Sequence, residues 1–225
     1  MRPALLGTRD RLFCPTAMNP LRDEFGDIDI YLFDQLLRGR IVPGMHIVDA
    51  GCGGGRNLVY LLRHGWSVAA ADQDPAAVEQ VRAMASRLAP GLPASNFRVE
   101  PIESLSFPAA SADVVIASAV LHFAASREHF DAMLARLWRV LTPGGLLFAR
   151  LASSIGIADR VQALGSGRFR LPDGTDRFLA DEPMLMQAAA SLGATLVDPL
   201  KTTLVQNQRA MTTWVVRKQS RPNVG

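Results

Sequence analysis

Short apolar runs bounded by glycine, proline or charge alternate along this chain with stretches whose apolar residues return every three or four positions. Met45 to Val48 is the first run, and Gly51, Gly53, Gly54 and Gly55 end it abruptly. Leu58, Leu61 and Leu62 then recur at helical spacing as far as His64-Gly65. Val68 to Ala71 predicts a second strand, and Asp74-Pro75 opens a helix with Val78, Val81 and Met84 inward. Asn96 to Val99 reads as a third strand and Asp113 to Ala117 as a fourth. Ser126 caps the helix that follows, with Phe130, Met133, Leu134, Leu137 and Trp138 on its inner side. Thr142-Pro143-Gly144-Gly145 turns into a fifth strand, Leu146 to Leu151. Strands alternating with helices in this way predict an α/β fold with a parallel sheet covered on both faces.

The ends of the chain break the alternation. Residues 1 to about 20 carry Pro, Arg and Thr without periodicity and predict an extended arm. In Leu21 to Arg40, Asp27 or Asp29 is placed to cap a covering helix with Ile30, Phe33, Leu36 and Leu37 at helical spacing. Residues 152–181 are rich in Gly, Ser and Arg and predict an irregular, lid-like insertion. Glu182-Pro183 starts a last helix that Gly193 stops, and two Thr/Val/Leu-rich runs, Thr195 to Val205 and Ala210 to Arg217, form a terminal hairpin across Gln206 to Arg209. Asp198-Pro199 bends the first of these runs. There are no repeats and no composition shift that marks a second domain, so residues 1–225 read as one domain, with 1–40 as arm and covering helix.

Strand, glycine turn and helix together are the opening of a nucleotide-binding unit, because glycine lets backbone turn tightly and approach a ligand. A dinucleotide site needs a third small residue where helix and strand pack, and that position holds Arg56. Asp49, two residues before Gly51, would repel a pyrophosphate but attract an ammonium group. Asp72 closes the second strand 21 residues after Gly51, where a carboxylate meets a ribose diol. Ribose and amino acid without phosphate describe S-adenosylmethionine.

On these residues the chain resembles the class I S-adenosylmethionine-dependent methyltransferases. Val48 to Gly55 is similar to their first motif, Ala71-Asp72 to their acidic second-strand end, Phe107-Pro108 with Ala112 to Ser118 to the segment entering strand four, and Leu141 to Leu147 to the turn before strand five. The resemblance implies a Rossmann-like, doubly wound seven-stranded sheet in the order 3-2-1-4-5-7-6 with the last strand antiparallel. It implies S-adenosylmethionine as methyl donor and S-adenosylhomocysteine as product. The cofactor set it suggests is Asp49, Gly51, Cys52, Gly53, Gly55 and Asn57 around the turn, Asp72 for the ribose, Gln73 and Ile102 beside adenine, and Ser118 near the methionine end. The position where the family often carries an adenine-binding acid falls on Pro101, leaving Glu100, Glu103 or the Ile102 backbone in its place.

Past the fourth strand lies Ser118 to Phe123, where ligands bind in open α/β sheets. Ser118-Ala119-Val120-Leu121 differs from the Asn/Asp-Pro-Pro-aromatic signature of methyltransferases acting on DNA bases. His122 is a candidate general base or a structural histidine. Tyr31 is a candidate lid residue or a core-edge aromatic. Arg150 and Arg168 are candidates for an anionic acceptor, the densest basic set being Arg168, Arg170 and Arg177, which otherwise reads as a solvated loop.

Composition adds exclusions. The net charge is +3, and of 24 basic residues only Lys201 and Lys218 are lysine, with no basic stripe of the kind nucleic acid requires. No apolar run approaches the roughly 18 residues of a membrane span, and the N-terminal residues lack the apolar core of a signal peptide. Two cysteines without ligand spacing argue against a disulfide frame or a zinc site and fit the cytoplasm. The expectation is therefore a methyltransferase acting on a small molecule, against two rivals: an NAD-dependent oxidoreductase and a non-catalytic binding module of the same fold.

Overall fold

The structure, a computed structural model, describes residues 19–220; the arm expected over residues 1 to about 20 lies almost wholly outside them. Two short helices come first, α1 (Pro20–Phe25) and α2 (Ile30–Leu37). Then β1 (His46–Ala50), α3 (Val59–Arg63), β2 (Ser67–Asp72), α4 (Pro75–Leu88) and β3 (Phe97–Val99) follow. β4 (Ala112–Ser118), α5 (Arg127–Val140) and β5 (Leu141–Ser153) complete the parallel part. A small group, β6 (Gln162–Gly165), β7 (Arg168–Arg170) and β8 (Asp176–Phe178), precedes α6 (Glu182–Ser191), β9 (Ala194–Leu196), β10 (Lys201–Val205) and β11 (Arg209–Lys218).

The main sheet runs β3-β2-β1-β4-β5-β11-β10, parallel as far as β5 and antiparallel at β11. This is the expected order, with strand six divided into β9 and β10, both paired to β11. The division falls at Asp198-Pro199, because proline offers no N–H to the ladder. The Asp198 carboxylate instead accepts from Gln35 Nε2 at 3.1 Å and pairs with Arg40, tying α2 to the sheet edge.

Side chains alternate across the sheet and bury both faces. Val48, Val115, Leu147 and Trp214 pack beneath α5 and α6, against Phe130, Leu137 and Leu185. Ile47, Val114, Phe148 and Val215 face the other way, against Leu32 of α2, Leu61 and Leu62 of α3, and Val78 and Val81 of α4. Fully burying one such side chain is worth about 1.5–3 kcal/mol, so the two layers supply most of the driving force.

Three expectations need correction. α2 turns a different face inward: Leu32 and Gln35 are buried, while Ile30 and Leu37 are each 71% exposed. The register follows the cap, since Asp29 accepts from Tyr31 N–H and Gln35 meets buried Asp198. The turn expected at Thr142 to Gly145 is a bulge within β5, between the pairs Ala112–Leu141 and Val114–Leu146. Residues 152–181 are not irregular, for they carry the three-stranded antiparallel sheet β6-β7-β8. Its first turn is Gly165-Ser166-Gly167, all at positive φ, and a Cβ on Gly167 would crowd the Phe178 ring. A small cluster of Ala152, Leu171 and Leu179, with Phe169 and Met211, holds this sheet against the end of the main one.

Candidate active site

The carboxyl ends of β1, β2 and β4 enclose a cavity of about 270 Å³ lined on one side by Gly51, Gly53, Asp72 and Gln73 and on the other by Ile102 and Val120. Gly51 sits at φ +73°, and any Cβ there would overlap the Val120 side chain. Gly53 has φ +51° and nothing within 4 Å of a Cβ position. Only a hydrogen keeps that space clear. Gly55 serves packing instead, with a would-be Cβ 3.0 Å from Val81 of α4.

Asp72 is held by backbone. Its Oδ2 accepts from Gly53 N–H at 2.8 Å and its Oδ1 from Asp74 N–H at 2.9 Å, which fixes the carboxylate plane and leaves lone pairs toward the cavity wall it forms. Gln73 and Ile102 line the same cavity. Glu100 is engaged by the backbone N–H and hydroxyl of Ser106, and Glu103 lies 3.4 Å from His129 Nε2.

Asp49 is 1% exposed, and neither carboxylate oxygen has a hydrogen-bond partner. Burial pushes its pKa up to about 7, opposed by the charge of Arg56 and the neighbouring Asn57 side chain and reinforced by the charge of Asp72. Asn57, beside it, spends its Oδ1 on Asp29 N–H at 3.0 Å. Asp49 lies two residues before Gly51 and does not itself line the cavity, and burying a carboxylate without donors is costly to the free protein.

Several residues expected around the cofactor have other duties. Asn57 and Ser118 are both committed to Asp29: Ser118 Oγ donates to Asp29 Oδ2 at 3.1 Å and accepts from Arg56 at 2.8 Å. Cys52 is buried in the face under α3 and α4, its thiol pKa pushed up by burial, and its N–H donates to Ala71 O. None of the three lines the cavity. The Tyr31 hydroxyl shares a 2.7 Å hydrogen bond with Thr203, and its ring lies under the Arg150 guanidinium at 5.5 Å. Tyr31 is thus a prop for Arg150.

A second cavity of about 260 Å³ meets the first at Ala119, which lines both. It lies between the end of β5 and the small sheet, bordered by His122, Arg150, Asp173, Thr175, Arg177 and Arg209. His122 is buried, and its Nδ1 accepts from Ala152 N–H at 3.2 Å, so the ring proton belongs on Nε2. Burial, reinforced by Arg177, lowers its pKa to about 4. A neutral imidazole with its one lone pair occupied does not suit a general base. Arg168, on β7, borders neither cavity; Arg177 and Arg209 do. Arg209 belongs to the end of the terminal hairpin, and only the folded sheet brings it to this edge.

The motif order, the sheet order and the glycine-lined cavity are accompanied by direct similarity. Residues 48–149 match a family model described as a methyltransferase domain. A ubiquinone biosynthesis O-methyltransferase of Methylocella silvestris is 36% identical over 110 residues, 49% of this chain and 41% of that protein. A malonyl-[acyl-carrier protein] O-methyltransferase of Serratia marcescens is 30% identical over 163 residues, 71% of this chain and 58% of that protein. The chain thus spans about half the length of these curated relatives. Among solved structures, the 1,6-didemethyltoxoflavin-N1-methyltransferase of Burkholderia thailandensis with bound 1,6-didemethyltoxoflavin and S-adenosylhomocysteine aligns with a TM-score of 0.64 at 20% identity, covering 90% of this chain and 82% of that one. Residues 48–149 thus carry the similarity to methyltransferase domains, and the fold is that of solved S-adenosylmethionine-dependent methyltransferases. Among the described residues no helix is long and apolar enough to cross a membrane.

Proposed function

We propose that this protein methylates an oxygen of a small-molecule acceptor, with S-adenosylmethionine held in the first cavity and the acceptor approaching across Ala119 in the cytoplasm. The observation that carries the reading is Asp49: a buried carboxylate without a partner, two residues before the glycine that walls the cavity. Oxygen as the receiving atom is supported by the names of the two curated relatives, both O-methyltransferases. Bound there, S-adenosylmethionine would supply an electrophilic methyl to an ionised acceptor oxygen and would leave as S-adenosylhomocysteine.

In this reading Asp49 takes the ammonium group, Asp72 the ribose hydroxyls, and the open face of Gly53 admits the cofactor without a Cβ in its path. Gln73 and Ile102 flank the adenine. Rate comes from orientation, since holding reactants in line replaces a bimolecular encounter. The chain's own contribution is a rigid wall, with Ala119 N–H donating to Arg150 O at 2.7 Å and fixing the loop between the cavities.

Calorimetric titration with S-adenosylhomocysteine and separately with NADH tests it. Micromolar binding of the first, none of the second, and a loss on the order of 1–3 kcal/mol in Asp72→Ala are expected. Binding of NADH alone revives the oxidoreductase; binding of neither by folded protein leaves only a module of the same fold.

A further inference from the structure

The second cavity has a charge pattern that nothing in the core explains. Three guanidiniums, those of Arg150, Arg177 and Arg209, border it, against a single carboxylate, Asp173. Asp173 is partly engaged, its Oδ1 accepting from both the N–H (3.0 Å) and the hydroxyl (2.6 Å) of Thr175, and it is the one carboxylate that faces the charges of Arg209 and Arg177 there.

The arginines are incompletely used. Arg150 gives one nitrogen to Asp29 at 3.2 Å, while its Nε is buried without an acceptor. Among the described residues the Arg177 guanidinium makes one hydrogen bond, to the Asp176 carbonyl, lies over the Phe123 ring at 5.0 Å, and has no direct ion pair, Asp173 and Asp176 acting on it only through their charge. The Arg209 guanidinium has no hydrogen bond or direct ion pair among the described residues and acts on Asp173 only through its charge. Arg170, in contrast, sits outside the cavity and is paired with Asp176. Around the cavity three guanidiniums thus have one lining carboxylate among them, Asp173, whereas Arg170 is paired directly with Asp176.

Arginine's planar fork matches a carboxylate with two parallel hydrogen bonds, and a guanidinium held by an aromatic face loses little freedom on binding. From this geometry we infer that the second cavity is the acceptor site and that its substrate is a small carboxylate-bearing molecule, anchored by Arg177 and Arg209 with Arg150 beside them. The assignment rests on the methyl-transfer reading above and narrows its substrate class. The volume, about 260 Å³, suits a free small acid and leaves no room for a large acceptor to be enclosed. His122, with its Nδ1 committed to the backbone, contributes a wall of this site.

The test uses the full-length protein with S-adenosylhomocysteine present, and ligand-observed NMR with malonate, succinate, benzoate and salicylate, each beside its uncharged amide. At least one acid is expected to bind while its amide does not. Arg177→Gln and Arg209→Gln are each expected to weaken that acid on the order of tenfold and to leave S-adenosylhomocysteine affinity as it was. Arg209 is exposed at a hairpin end, so its variant reports even if the packed Arg177 variant fails to fold. Amides binding as well as acids, no acid binding at all, or full acid affinity in Arg209→Gln overturns the carboxylate site while leaving the cofactor reading intact. Acid binding by a protein that ignores S-adenosylhomocysteine overturns the acceptor assignment through the reading it rests on.

Discussion

Asp29 and Asp49 are both almost fully buried carboxylates, yet their surroundings are opposite. Asp29 caps α2 and lies among the guanidiniums of Arg56 and Arg150, the hydroxyl of Ser118 and the amide N–H of Tyr31. Asp49 has no hydrogen bond. One charge is satisfied by the protein and joins the covering helix to the glycine turn, β4 and β5. The other has no such donors, and in the proposed reading it takes the ammonium group of the cofactor. Burial alone therefore does not tell a structural carboxylate from a binding one; the inventory of donors does.

The contrast can be broken at Asp29 first. Asp29→Asn keeps the shape but strands two guanidiniums, and a loss of about 3–5 kcal/mol is expected by denaturant unfolding. Asp49→Asn removes a charge that only costs the free protein, so unliganded stability at neutral pH is expected to hold or rise while S-adenosylhomocysteine affinity falls. A stability loss as large as that of Asp29→Asn would erase the distinction.

The pH dependence sharpens it. Asp49 has a folded pKa raised to about 7, so it releases stability as pH rises from about 4 to 7, by roughly 2–4 kcal/mol. His122 has a folded pKa lowered to about 4, so its contribution is whole above its ordinary value near 6.5 and is lost as pH falls toward 4. The two oppose each other over the same window. Unfolding curves of Asp49→Asn should therefore lose stability on acidification from pH 6.5 to 4, and those of His122→Gln should gain it. Parallel wild-type and variant curves would contradict the burial assigned to both groups.

The glycines give a smaller version of the same contrast. Gly51→Ala adds a Cβ into Val120 at positive φ and is expected to cost about 2 kcal/mol of stability. Gly53→Ala meets open space, so about 1 kcal/mol is expected for the backbone alone, together with weaker S-adenosylhomocysteine binding by titration. Equal affinity in wild type and Gly53→Ala would mean the cofactor does not use that space. Smallest of all, Arg168→Gln, which borders neither cavity, should move stability by less than about 0.5 kcal/mol and leave acid binding unchanged.

What could be read in the sequence follows from how local the signal is. The order of strands, the glycine turn and the pair Asp49–Asp72 are written in short motifs with fixed spacing, and they led to both the sheet and the first cavity. Asp29 was visible as one of two candidate helix caps, beside Asp27, but its guanidinium partners are separated from it by 27 and 121 residues. Arg209 could not be assigned, because the hairpin must pair with β5 before it reaches the second cavity. Residues 152–181 carried a hairpin signal in Gly165-Ser166-Gly167 that composition masked. Ser118 and Asn57 lie within cofactor motifs yet serve Asp29, a reminder that a motif places a residue without choosing its partner.

The most direct test of Asp49 as the waiting ligand for an ammonium group is calorimetric titration of S-adenosylhomocysteine from pH 5.5 to 8, in buffers of differing ionisation enthalpy, on wild type and Asp49→Asn. Wild-type affinity that climbs to a plateau above pH 7, with proton release below it, and a weaker, pH-independent affinity in the variant are expected. Equal affinity for the two proteins, or a wild-type curve without proton release, would show that the carboxylate is not the cofactor's partner.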